Sequence, residues 1–312
     1  MGTKRRNIII LSIVLAALLA VLLSLFLPCG DDTPEDETVD AFLESDVPPE
    51  DTKNTCDVPI LMYHHLDPTE SGAATITVGA FEAQIAALAD AGFTAVTLRD
   101  LVAFVDGGTP LPEKPIVITF DDGYMSNYEY AMPILDEREM HATVFVIGYS
   151  FGADTYKDTG VPIIPHFGEN EAREMVSSGV FCIQSHTYDM HASETIEGEG
   201  ARICVLPLDG ENAEEYESAL REDIRKSRAL IEGITGEDVF ALAYPRGYYS
   251  AEAQEILVDE GIRVTLTTDE GTNTIVQGDP ASLLGLNRYN VDASMTPEDL
   301  ISKLENRGES ES

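Results

Sequence analysis

The run at 116–123, Ile-Val-Ile-Thr-Phe-Asp-Asp-Gly, constrains this chain more than any other stretch. Its apolar, β-branched residues between Pro115 and Gly123 read as a buried central strand of a parallel sheet. The strand ends in two adjacent carboxylates, Asp121 and Asp122. The carboxyl ends of parallel strands are where α/β folds bind ligands, which places both acids for chemistry. Neighbouring side chains point different ways, so one acid can bind a metal while the other stays free as a base. Asp-Asp-Gly is also ordinary turn chemistry, and the acids alone leave both readings open.

The rest of the chain alternates strand and helix signals. A strand at 58–63 ends in His64 and His65, and a helix follows from the possible N-cap Thr77 to Gly92. A strand at 93–98 and a helix at 99–105 precede the central strand. After it come a helix at 128–140, weakened by Pro133, and strands at 142–147 and 180–185 flanking a loop at 149–170 and a helix at 171–178. Beyond a second loop at 193–212 lie helices at 213–234, 251–260 and 296–304, with strands at 239–244, 263–267 and 283–286. This order predicts an α/β fold, a deformed or incomplete (β/α) barrel; no GxGxxG supports a dinucleotide fold.

The N-terminus predicts something else. Lys4, Arg5 and Arg6 precede 8–27, a stretch without a charge. It is long enough to cross a bilayer, with the basic side cytoplasmic. The expected organisation is a basic cytoplasmic tail at 1–7, an uncleaved transmembrane anchor at 8–28, an acidic extracytoplasmic linker at 29–57, a catalytic body at 58–306 and a polar tail at 307–312. Cleavage as a signal peptide and lipidation at Cys29 are the rival readings. The expected location is therefore the cell membrane, single-pass, with the body outside the cytoplasm.

Formal charge narrows the partners. With 56 acids against 19 bases the net charge is −37, which argues against nucleic acid or an anionic membrane surface. Four scattered cysteines without a CxxC do not make a zinc ribbon; a disulfide between Cys182 and Cys204 is conceivable, and Cys182 reads equally as a buried strand residue.

Three strand ends carry metal-competent groups: Asp121 with Asp122, His186 with His191, and His64. Two imidazoles and a carboxylate suit zinc or another divalent transition metal. The five-residue spacing of the histidines is awkward. On a helix it separates them by about 140°, and on a strand it puts them on opposite faces. They can share an ion only if 187–190 is an irregular loop.

The successive motifs ITFDDG, SHTYDMH and AYPRG resemble those of the polysaccharide deacetylases of carbohydrate esterase family four, the NodB homology domain. PILMYHHL, VLPLDGE and LNRYNV are most similar to the poly-N-acetylglucosamine deacetylase branch. The resemblance implies Asp121 as general base, and Asp122, His186 and His191 as ligands of a divalent metal: zinc, or else cobalt, nickel or iron. It implies Tyr244, Pro245 and Arg246 as substrate-binding, with the Arg246 N–H as oxyanion donor. The commoner pattern is not complete, because Ala243 stands where the family has an arginine, and the DxxDW and late leucine–histidine motifs are absent. In the poly-N-acetylglucosamine branch the acid is instead a histidine after the first strand, which His64 matches, with His65 as the fallback. His141 reads as structural, and His166, in the long loop, either lines the groove or is exposed, exposure being the favoured reading. Tyr124, Tyr188, Tyr244 and Tyr248 stack on sugars or pack into the core.

The implied activity is metal-dependent hydrolysis of N-acetyl groups from an N-acetylglucosamine polysaccharide outside the cell. Peptidoglycan as substrate is the alternative within that chemistry. A catalytically dead glycan-binding module is the alternative of a different class, and it predicts loss of at least one of Asp121, Asp122, His186 and His191.

Overall fold

The computed structural model describes residues 54–305. In chain order β1 (Thr55–Tyr63), β2 (His65–Asp67) and β3 (Thr75–Thr77) lead into α1 (Val78–Asp90), followed by β4 (Thr94–Ala95) and α2 (Leu98–Val105). Then come β5 (Pro115–Phe120), a π-helical turn (Asn127–Ala131), α3 (Met132–Glu137) and β6 (Ala142–Val146). The hairpin β7 (Thr155–Tyr156) and β8 (Val161–Pro162) precedes α4 (Glu169–Ser178), β9 (Phe181–Ser185) and the short α5 (Glu194–Glu197). The last third holds α6 (Ala213–Thr235), β10 (Ala241–Ala243), α7 (Ala251–Asp259), β11 (Val264–Leu266), β12 (Thr272–Val276), β13 (Tyr289–Asn290) and α8 (Pro297–Glu305).

Nine strands form one sheet in the order β11-β10-β9-β6-β5-β1-β12, with β13 also on β1 and β4 on β5. All of its pairings are parallel except β1 with β12. A lone parallel bridge between Leu266 and Leu286 carries β11 toward the chain that becomes β13. The result is the expected deformed, incomplete (β/α) barrel.

β5 is buried along its whole length. Ile116, Ile118 and Phe120 pack with Tyr63, Phe81 and Leu135, while Val117 faces Ile60, Leu101, Phe104 and Val264. A period-2 strand with apolar groups on both faces is what the interior of a parallel sheet needs. Thr77 caps α1 by accepting from the Ala80 N–H at 3.2 Å, as expected.

Several boundaries differ from expectation. β1 begins at Thr55, inside the stretch assigned to the linker, because Thr55–Pro59 pairs with β12. β12 itself is missed by the sequence reading. Conversely, 283–286 is not a strand: Pro280–Leu283 is a 3₁₀ turn capped by Asp279. The helix expected at 128–140 divides into the π turn and α3 just before Pro133, whose missing N–H interrupts the ladder. No disulfide joins Cys182 and Cys204; Cys182 Sγ accepts from Gln184 Nε2 at 3.3 Å.

The membrane assignment is corrected. Among the described residues no helix is long and apolar enough to cross a membrane. The longest, α6, buries Tyr216, Leu220, Asp223, Ile224, Ser227 and Ile231 and carries charged residues along its other faces. This overturns the single-pass, extracytoplasmic location. The stretch 8–28 that prompted it, and the linker up to residue 53, lie outside the described residues.

Candidate active site

Because the strands run parallel, β1, β5, β9 and β10 end on one edge and deliver His64, Asp121, His186 and Tyr244 to it. At the end of β5 the Asp121 N–H donates to the Tyr63 carbonyl at 2.9 Å, and the backbone then turns left-handed at Asp122 (φ 72°) and Gly123 (φ 87°). Aspartate tolerates that region. Gly123 is required, since a Cβ there would lie 2.9 Å from Val146 Cγ1.

The histidine spacing is resolved by an irregular loop. Thr187 takes φ 70°, its N–H donates to Ser185 Oγ at 3.1 Å, and the Met190 N–H donates to Thr187 Oγ1 at 3.2 Å. The His186 and His191 rings come within 5.0 Å of each other, centroid to centroid. Asp122 Oδ1 lies 3.7 Å from His186 Nε2 and 3.8 Å from His191 Nε2. These separations are too long for hydrogen bonds and suit donors sharing one ion at about 2 Å each. Asp122 Oδ1 is buried and has no hydrogen-bond partner among the described residues. A buried carboxylate oxygen facing two imidazoles without a partner fits a cation between them. Asp122, His186 and His191 thus form a group able to hold a divalent metal.

His186 is prepared for that role. Its Nδ1 lies 2.8 Å from the Ala243 carbonyl, which can only accept, so Nδ1 carries the proton and Nε2 presents its lone pair. Burial lowers its pKa to about 4, which keeps the ring neutral at neutral pH.

Asp121 is held differently. Arg288, wholly buried, donates from Nη1 and Nη2 to the two Asp121 oxygens, each at 2.7 Å. Its Nε donates to the Thr267 carbonyl at 2.8 Å. Burial would raise the Asp121 pKa, but Arg288, then His186 and also His64 hold it well below the usual carboxylate range. Sequence reasoning used LNRYNV only for its resemblance and missed Arg288.

His64 is half-buried, and it is near enough that its charge lowers both Asp121 and Asp122. His65 Nδ1 is engaged with Ser126 Oγ at 2.9 Å, a structural use. In the YPRG motif Tyr244 is fully buried and stacked on Tyr249 at 4.6 Å, so its ring is not offered to a sugar. Pro245 is buried as well, and only Arg246 of the three lines the open cleft. Arg246 adopts φ 57°. The cleft measures about 480 Å³, and Asp122, Tyr124, Tyr149, His166 and His191 also line it. His166 is therefore a buried wall residue, 8% exposed, which bears out groove lining over the favoured reading of loop exposure. Tyr124 packs against it, ring centroids 4.9 Å apart, and the neighbouring Asp122 carboxylate holds its phenol well above the usual range. His141 stands apart, bonded to the Gly179 carbonyl at 3.0 Å.

A family model for polysaccharide deacetylase matches residues 108–265. The chain belongs to the polysaccharide deacetylase family. It is accordingly a hydrolase of carbon–nitrogen bonds, an N-deacetylase of polysaccharide, in a family that is metal-dependent in general. This deacetylase is 28% identical over 245 residues to YxkH of Bacillus subtilis (strain 168), covering 78% of this chain and 75% of that protein. It is 25% identical over 196 residues to the poly-beta-1,6-N-acetyl-D-glucosamine N-deacetylase of Staphylococcus epidermidis, covering 63% of this chain and 62% of that one. The chain therefore spans less than two thirds of the latter's length. IcaB from Ammonifex degensii superimposes with a TM-score of 0.65 over 80% of this chain and 97% of that one; at 24% identity the likeness is one of fold.

Proposed function

We propose that this deacetylase uses a divalent metal, zinc by preference, to remove N-acetyl groups from a β-linked N-acetylglucosamine polymer of the poly-N-acetylglucosamine type. One observation carries the reading: the unpartnered Oδ1 of Asp122 faces two imidazoles, with a second, arginine-clamped carboxylate beside it. The substrate class is supported by the name of the Staphylococcus epidermidis relative. All four of Asp121, Asp122, His186 and His191 are present, which disfavours a dead binding module.

Asp122, His186 and His191 would hold the ion. When bound, a divalent ion lowers the pKa of a water and polarises a carbonyl oxygen. Asp121, kept ionised by Arg288, takes the proton of the water that adds to the acetamide carbon. The Arg246 N–H donates to the developing oxyanion. His64 protonates the departing amine as the C–N bond breaks, leaving acetate and a free amino sugar. Aspartate and imidazole thereby divide the base and acid roles between two strand ends.

The test is acetate release from poly-β-1,6-N-acetylglucosamine, chitooligosaccharides and peptidoglycan, before and after chelation and zinc readdition, with Asp121→Asn in parallel. Zinc-restored release from the first polymer, abolished in Asp121→Asn, is the expected result. Release from peptidoglycan alone would overturn the substrate assignment, and undiminished release after exhaustive chelation would overturn the metal.

A further inference from the structure

The loop that brings His186 and His191 together has no regular hydrogen-bond ladder, so something else must hold its backbone. Asp223, on the buried stripe of α6 and 7% exposed, accepts the Tyr188 N–H on Oδ1 at 2.8 Å and the Asp189 N–H on Oδ2 at 2.7 Å. One helical turn on, Ser227 lies 2.7 Å from Ser185 Oγ, the same oxygen that receives the Thr187 N–H. The Tyr188 and Thr187 carbonyls are taken up in turn by the Tyr149 and Gly148 N–H groups, each at 3.0 Å. The space is closed: a Cβ on Gly148 would come within 2.4 Å of the Tyr188 ring.

We propose that Asp223 is a positioning residue for the metal centre, its two carboxylate oxygens fixing the backbone of Tyr188 and Asp189 so that His186 and His191 face one ion; this rests on the proposed metal role of Asp122, His186 and His191. The carboxylate is suited to the task because each oxygen is an acceptor and nothing on it donates. An amide of the same size cannot replace it, since its NH₂ would confront one of the two N–H groups. Asp223 touches neither substrate nor ion; it acts through the loop, as outer partners of metal ligands do.

The test uses the full chain and measures Co²⁺ binding by its visible absorption, with Zn²⁺ affinity by competition. Asp223→Asn is expected to weaken Zn²⁺ binding about 10–100-fold and to alter the Co²⁺ spectrum, while near-ultraviolet dichroism shows an intact fold. Ser227→Ala, a milder change to the same helix face, is expected to shift affinity in the same direction and serves if Asp223→Asn does not fold. Lys157→Met removes the salt bridge to the Asp189 carboxylate at 2.6 Å, on the outer side of the loop, and is expected to leave affinity within about threefold. Wild-type affinity and spectrum in folded Asp223→Asn and in Ser227→Ala would overturn the proposal. If the wild type binds neither ion, the metal-centre reading itself fails, and the positioning role fails with it.

Discussion

Arg288 and Asp121 face each other across 167 residues of sequence in a bidentate pair, both nitrogen–oxygen distances 2.7 Å and the arginine wholly out of solvent. Removing one member of such a pair leaves a buried charge unmatched, at a cost of about 3–5 kcal/mol. Arg288→Met is expected to destabilise the protein by that order in urea unfolding and to lower kcat/KM for acetate release at least about 100-fold, the scale of lost general-base catalysis. Arg288→Lys, which keeps the charge and loses the fork, should fall between. A folded Arg288→Met with wild-type kcat/KM would remove the arginine from the catalytic account.

Metal binding should register as stability. An ion that binds only the folded state at 100 times its Kd stabilises it by about 2.7 kcal/mol. Zinc is therefore expected to raise the Tm of the chelator-stripped wild type and to leave that of Asp122→Asn and His191→Ala almost unmoved. Equal zinc shifts in all three proteins would place the ion elsewhere.

Two glycines with nearly the same backbone should respond differently to alanine. Gly236 (φ 73°) ends α6 with nothing within 4 Å of an added Cβ, so Gly236→Ala meets only left-handed strain of about 1–2 kcal/mol, with activity unchanged. At Gly247 (φ 74°) the Cβ would lie 2.1 Å from Thr268 Oγ1 and 2.9 Å from its backbone nitrogen. Gly247→Ala must displace the turn that carries Arg246, and both its Tm and its kcat/KM should fall below those of Gly236→Ala. Identical behaviour of the two variants would show that the close approach to Thr268 is dispensable.

Acid stability should depend on the contact between α6 and α7. Hydrogen bonds from Arg225, and then from Arg221, hold the Glu260 carboxyl below its ordinary value of 4.5. A depressed carboxylate adds stability above its unfolded pKa, and that stability is lost as pH falls through the folded value. Urea unfolding of the wild type should therefore weaken below about pH 4.5, and Glu260→Gln should be weaker at pH 7 with a flatter acid slope. An unchanged slope in Glu260→Gln would assign the acid loss to other carboxylates.

Most of the barrel was legible because its strands are short apolar runs and its helices carry their own punctuation, such as Thr77 capping α1 and Gly179 (φ 77°) ending α4. β12 was not, since a polar edge strand is defined by its partner β1 and not by its own pattern. By itself the sequence determined which strand ends bear acids and imidazoles, because strand periodicity and a following turn are local properties. Only the tertiary structure decided that His186 and His191 converge, that Asp223 holds their loop, that Tyr244 is sealed in the core and that Arg288 reaches Asp121. The convergence of the histidines depends on the backbone path of the loop between them, and the contacts of Asp223 and Arg288 join residues far apart in sequence; no local spacing encodes either.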